Sequence, residues 1–173
     1  MPSIMELLFG SSYDPEQICH KLELLADDPA SKKTVEKCLQ RLKRGISGED
    51  ASLFIGALSQ PHRLEALIRV VYNQDGEVKR MASDIFTLVI QRSELARRAI
   101  NKRLIDLMIS GYTTRHDLAV YCGQIIRELF HYQELSVCLT QPFFFIILLK
   151  SMGWDSFDAA SDAFETMSVL VFL

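Results

Sequence analysis

A unit of about forty residues recurs along the chain, and no other feature restricts the fold as much. Glu94-Leu95 returns as Glu134-Leu135, forty positions on. The helix-entry pattern Thr114-x-x-Asp117 returns as Asp155-x-x-Asp158 at an offset of forty-one, which Ala119 and Ala160 keep. A more worn copy, Ala82-Ser83-Asp84-x-Phe86, is echoed by Ala160-Ser161-Asp162-x-Phe164 seventy-eight residues later, close to two periods. Repeats of this length build helical solenoids, in which each unit buries its apolar face only against its neighbours. A solenoid offers a surface for partners rather than a pocket for chemistry.

The segments between the repeat marks read as helices. Asp14-Pro15 is an N-cap followed by proline at the first helical position, and Asp27-Asp28-Pro29 stops that helix. A second helix runs over 31–44, with Val35, Cys38, Leu39 and Leu42 at i, i+3, i+4, i+7. Three-helix units follow: 50–58, 61–72 and 77–91; 93–100, 102–109 and 115–131; 134–140, 142–152 and 156–171. The expected fold is therefore all-α, an armadillo/HEAT-like right-handed helical solenoid. It forms a single domain over 1–173, with N-terminal helices (14–45) and repeat units at 49–92, 93–132 and 133–173. Pro2 to Phe9 reads as a short anchor without a period. In the long third helices, Ala119, Cys122, Gly123 and Ile126 form one face, and Ala160, Ala163, Phe164 and Met167 its counterpart one unit later. Thr114 and Asp155 are placed to cap these helices, with Asp117 and Asp158 in the first turn, where they complement the helix dipole.

Composition narrows the function. At 173 residues, 49% hydrophobic and 24% charged, the chain can bury one substantial core. A net charge of −3 speaks against nucleic acid, whose binders gain most of their affinity from phosphate neutralisation. Cys19, Cys38, Cys122 and Cys138 form no Cys-x-x-Cys pair and no zinc-type spacing with the four histidines, so they read as reduced core thiols. Met1 to Gly10 lacks the basic region of a signal peptide. The longest apolar run, Phe143 to Leu149, falls far short of the roughly twenty residues that span a bilayer. A cytoplasmic protein without membrane insertion is the expectation.

Three strings go further: Gly111-Tyr112; Leu118-Ala119-Val120-Tyr121-Cys122-Gly123-Gln124-Ile125-Ile126-Arg127-Glu128; and Phe157-Asp158-Ala159-Ala160-Ser161-Asp162-Ala163-Phe164. Together they resemble the calcium-binding protein 39 family of scaffold proteins, over the N-terminal half of a typical member. The resemblance implies an armadillo-like scaffold without catalytic activity. Such a scaffold binds Ste20-like kinases and the STRAD pseudokinase, and with STRAD it activates the LKB-type kinase by favouring an active-like conformer. The chain departs from the family after Met167, where Ser168 is followed by the apolar run Val169 to Leu173. An uncapped solenoid end of this kind is expected to be sticky, offering self-association through the exposed last repeat. It suggests a truncated or alternatively spliced product, or an incomplete gene model. The family's pocket for a partner's C-terminal Trp-Glu-Phe tail would then be absent. A non-productive form that competes for partners stays open as an alternative.

The resemblance places Phe157 at the kinase-facing surface, although its helical phase with Ala160 and Phe164 equally suits core packing. Tyr121, Gln124 and Glu128 form a polar ridge on the preceding long helix that would share that surface, or would be an ordinary solvated face. Asp155, Asp158, Asp162 and Glu165 fall close together in sequence. No Asp-x-Asp-x-Asp-Gly loop with a distal glutamate accompanies them, so no metal is expected. Arg92, Arg97, Arg98, Lys102 and Arg103 could receive an acidic partner or a phosphate, or simply be solvated. No Gly-rich phosphate loop and no Ser-His-Asp or Cys-His pattern occurs, so neither a cofactor nor a catalytic residue is expected. A small all-α enzyme with a site assembled from distant residues is the rival class.

Overall fold

The computed structural model describes residues 14–172, so the proposed Pro2 to Phe9 anchor and Leu173 lie outside the described residues. Among the described residues there are eleven α-helices, one 3₁₀ turn (Pro29–Ser31) and no strand. The helices are α1 (Pro15–Leu25), α2 (Lys32–Ser47), α3 (Ala51–Leu58), α4 (Pro61–Asn73), α5 (Gly76–Arg92) and α6 (Glu94–Ala99). They continue with α7 (Lys102–Thr114), α8 (His116–Phe130), α9 (Gln133–Leu139), α10 (Pro142–Ser151) and α11 (Phe157–Val171).

Local chemistry starts most of them. Asp14 accepts from the Glu16 amide with Pro15 at the first position of α1. Ser93 accepts from Ala96 N, Asn101 from Leu104 N and Ser156 from Ala159 N, each satisfying an amide that the helix itself leaves unpaired. Proline opens α4 and α10 at a position where its missing N–H costs nothing.

The helices form two stacks. The long helices α2, α5, α8 and α11 pack each against the next, and α1, α4, α7 and α10 do the same beside them. The short helices α3, α6 and α9 turn the chain between layers. The fold is all-α and armadillo-like: each layer closes its apolar face on its neighbours, and one continuous core runs the length of the stack. Phe86, Tyr112, Phe130 and Phe144 are its largest fully buried side chains. Polar ties cross the layers as well, from Gln74 Nε2 to the Asp28 carbonyl (3.0 Å), from Tyr72 to the Leu107 carbonyl (2.5 Å) and from Arg103 to Glu65 (2.8 Å).

The structure corrects the sequence reading in three places. Helix α7 continues through Gly111 and Tyr112 to Thr114 instead of stopping at Ile109. A Cβ at Gly111 would overlap Cys122 Sγ, so the glycine admits α8 against α7 rather than breaking the helix. Thr114 therefore lies in the last turn of α7, its hydroxyl donating to the Ser110 carbonyl at 2.9 Å. The cap position of α8 falls to extended Arg115, which makes no side-chain cap, and Ser156 rather than Asp155 caps α11. Finally, Cys138 is exposed while Cys19, Cys38 and Cys122 are buried.

Candidate partner-binding groove

The buried face of α11 is Ala159, Asp162, Ala163, Thr166 and Met167. Ala163 and Met167 were expected there. Phe164 was expected there too, but it points outward with Phe157, the two being 66% and 82% exposed, and Ala160, also expected inward, is only half-buried. Two polar residues take the inward positions because partners are waiting for them. The Asp162 carboxylate accepts from Arg127 Nη1 of α8 at 2.7 Å and from the Tyr112 hydroxyl of α7. Thr166 Oγ1 lies 2.7 Å from Arg127 Nη1 and 3.0 Å from the Tyr112 oxygen. Gly123 makes room for this cluster, since a Cβ there would overlap the Asp162 carboxylate and the Tyr112 hydroxyl. Burial pushes the Asp162 carboxyl above the usual carboxylate range, against the pull of Tyr112 and Arg127. Burial, with the Asp162 charge beside it, pushes the Tyr112 phenol far up.

This cluster fixes α11 against α8, and an open groove of about 800 Å³ runs along their junction. Tyr121 and Gln124 line it from α8, Phe157 and Ser161 from α11, and Arg80 from α5. Glu128 does not join them: Gln91 Nε2 donates to it at 2.9 Å, and the Tyr132 hydroxyl lies 3.2 Å away. Gln124 is held by Asp84 (3.3 Å) and Ser83 (3.4 Å) of α5. Lys79 Nζ lies 5.7 Å from the Tyr121 ring centre, a cation–π contact. The same ammonium pairs with Asp117 at 2.6 Å, although the lysine is only 4% exposed. Arg115 grips Asp117 with bonds of 3.0 and 2.7 Å. Its guanidinium, with Lys79 behind it, holds the Asp117 carboxyl down at about 2. His116 stacks on Trp154, ring centres 4.2 Å apart, and closes one end of the groove.

Of the four residues expected at a partner surface, Tyr121, Gln124 and Phe157 line the groove, whereas Glu128 does not and Arg127 takes its place. Arg80 and His116, which the sequence did not single out as site residues, line it as well. The spacing of Asp117, Val120, Gln124 and Arg127 on α8 carried the signal, but the phase could be set only by knowing which side α11 covers.

Among the described residues, the other candidate clusters of the sequence do not assemble into a site. Among the described residues, no three His, Cys, Asp or Glu side chains are grouped to hold a metal ion. The basic cluster is committed internally. Arg92 donates to the Ile46 carbonyl at 2.8 Å, and Arg97 donates to the Ile90 carbonyl while stacking over Tyr132. Arg98, Lys102 and Arg103 pair with Glu94, Asp106 and Glu65. No single described helix is long and apolar enough to cross a membrane.

The all-α stack of helical layers agrees with the family that comparison with known proteins finds. The sequence profile of the Mo25-like family matches residues 14–172. The chain belongs to the Mo25-like family. A Mo25-like protein of Schizosaccharomyces pombe is 26% identical over 165 residues, covering 87% of this chain and 50% of the relative. The chain therefore spans about half the length of the curated relative it matches. Mo25-like is the family of the calcium-binding protein 39 scaffolds, so the resemblance drawn from the Gly123 and Asp162 strings is the correct one.

Proposed function

We propose that this Mo25-like chain is a non-catalytic, cytoplasmic scaffold whose α8–α11 groove binds a protein kinase or pseudokinase domain, of the Ste20-like or STRAD type, and favours its active-like conformer. The observation that carries the reading is Phe157, a phenylalanine 82% exposed at the rim of a groove otherwise lined, Val120 aside, by polar and charged groups. An aromatic left in water beside a polar rim is the usual composition of an interface anchor. Hydrogen bonds from α5 hold Gln124, and Lys79 of α5 sits over the Tyr121 ring, so ordering them on binding costs little. The groove offers nothing for covalent chemistry: the nearest cysteine, Cys122, lies beneath it, its thiol pushed up to about 12 by burial.

Titration of the purified chain against a Ste20-like kinase domain and a STRAD-type pseudokinase, with a kinase assay in parallel, tests this. Phe157→Ala is expected to weaken binding by roughly 30-fold, the loss typical of an aromatic hot spot. Its helix content should not change, because Phe157 contributes almost nothing to the core. Unaltered affinity in the folded variant would remove Phe157 from the interface. Binding without any rise in kinase activity would leave the groove as a docking site and overturn the activating role.

A further inference from the structure

Charge pairing is uneven along the chain. Of the nineteen lysines and arginines, eleven pair with a carboxylate among the described residues, and Arg92 and Arg97 donate to backbone carbonyls. Of the six that remain, Lys21 lies on α1 and Lys33, Lys37, Arg41 and Arg44 lie on α2; only Lys150 lies elsewhere. The carboxylates of these two helices are already engaged. Arg63 of α4 takes Glu16 and Glu23 of α1, and Gln40 donates to Glu36 of α2 at 3.1 Å. Residues 1–13 contribute one carboxylate, Glu6. The four cations of α2 share one side of the helix, with Lys33, Lys37 and Arg41 each four residues apart, a spacing at which like charges repel.

Three of these cations meet at a pocket. Lys21 of α1 with Lys37 and Arg41 of α2 surround a cleft of about 240 Å³ between the two helices, together with Gln17 and Thr34. The buried side chains Ile18 and Cys38 close it beneath. Burial pushes the Cys38 thiol up while Lys21 and Arg41 pull it the other way, so both positive charges reach the bottom of the cleft. The three cationic side chains are exposed, and Gln17 and Thr34 add neutral donors. A further apolar layer could not cover this face, because burying unpaired ammonium and guanidinium groups is strongly unfavourable.

We infer that the α1–α2 cleft binds a phosphoserine or phosphothreonine carried on an extended segment of a partner protein. A phosphate dianion presents three strong acceptor oxygens, which match the three cations around the cleft. Lys33 and Arg44 carry the positive stripe past the cleft at either end, over about 16 Å of α2. An extended segment of roughly five residues has that length, so acidic neighbours of the phosphorylated residue would meet these two cations. Exposed acids bracket the stripe, Asp27 and Asp28 before α2 and Glu49 and Asp50 after it. A flat anionic membrane would press against them, whereas a short segment fits between. The cleft shares no residue with the α8–α11 groove and stands whether or not a kinase domain binds there.

Fluorescence anisotropy of the full chain with a labelled peptide, a phosphoserine between acidic residues, tests the site. The peptide is expected to bind at least roughly 10-fold tighter than its unphosphorylated serine form. Lys37→Gln and Arg41→Gln should each weaken binding by roughly 10-fold, the loss of one charge-assisted hydrogen bond. Both side chains are exposed, so neither change threatens the fold. Lys150→Gln removes a cation far along the chain and should leave the affinity unchanged. Inorganic phosphate and vesicles of equal parts phosphatidylcholine and phosphatidylserine are the competing probes. Phosphate as effective as the peptide would make this a small-anion site, and vesicle capture without peptide binding would make it a membrane surface; either would overturn the inference. So would no binding, equal affinity for the two peptides, or losses in Lys37→Gln and Arg41→Gln no larger than in Lys150→Gln.

Discussion

Replacing Gly123 with alanine should destabilise the protein, although alanine is the better helix former. In a free helix the substitution would gain about 1 kcal/mol, because glycine loses more backbone freedom on folding. Here the new methyl carbon would overlap the Asp162 carboxylate and the Tyr112 hydroxyl and lie 2.7 Å from Asp162 Cγ. Asp162 cannot move aside cheaply, because Arg127 and Tyr112 hold it and it is only 5% exposed. Overpacking typically costs about 1–3 kcal/mol, and parting a buried pair about 3–5 kcal/mol. Allowing partial relaxation and subtracting the helix gain leaves a net loss of about 2–4 kcal/mol. For a chain of this size that lowers Tm by roughly 5–15 °C. Gly56→Ala on α3 is the matched control: nothing lies within 4 Å of its would-be Cβ, so it should stabilise by about 0.5–1 kcal/mol. Urea unfolding followed by circular dichroism measures both. A Gly123→Ala midpoint equal to or above that of the unaltered protein would refute the argument that Asp162 needs this space.

The remaining predictions rest on burial and charge. Of the four cysteines, Cys138 should react with a thiol reagent in the native protein, and the other three only on unfolding. Burial pushes the Cys19 and Cys122 thiols up to about 12 and raises Cys38, so reaction of more than one thiol per native chain would contradict the packing. Asp117 titrates in the fold at about 2, below its ordinary 3.8. Its contribution to stability is therefore fully present above the ordinary carboxylate range and is lost as pH falls through about 2. Urea midpoints of Asp117→Asn should fall less steeply than those of the parent between about pH 5 and pH 2, and parallel curves would show that the Arg115 and Lys79 contacts contribute little.

Some of this was legible residue by residue. Asp14-Pro15, Ser93 and Asn101 announce helix starts because capping needs only neighbours in sequence. The face of α8 made by Ala119, Cys122, Gly123 and Ile126 is buried as its spacing predicts, since small and apolar residues agree there. On α11 those two signals conflict. Phe157 and Phe164 are apolar yet outward, whereas Asp162 and Thr166 are polar yet inward, so apolar spacing alone points to the wrong face.

The forty-residue period by itself determined that the chain is a stack of helical layers, because a repeat too small to bury its own apolar face must bury it on a neighbour. Helix positions followed from short-range caps and spacing, which act over a few residues. Tertiary structure alone decided the phase of α11, and with it which phenylalanines meet solvent and where the groove opens. The reason is distance along the chain. Asp162 can be buried only because Arg127, 35 residues away, and Tyr112, 50 residues away, converge on it in the gap left by Gly123. The free energy of a buried carboxylate is set by those remote partners rather than by its own helix.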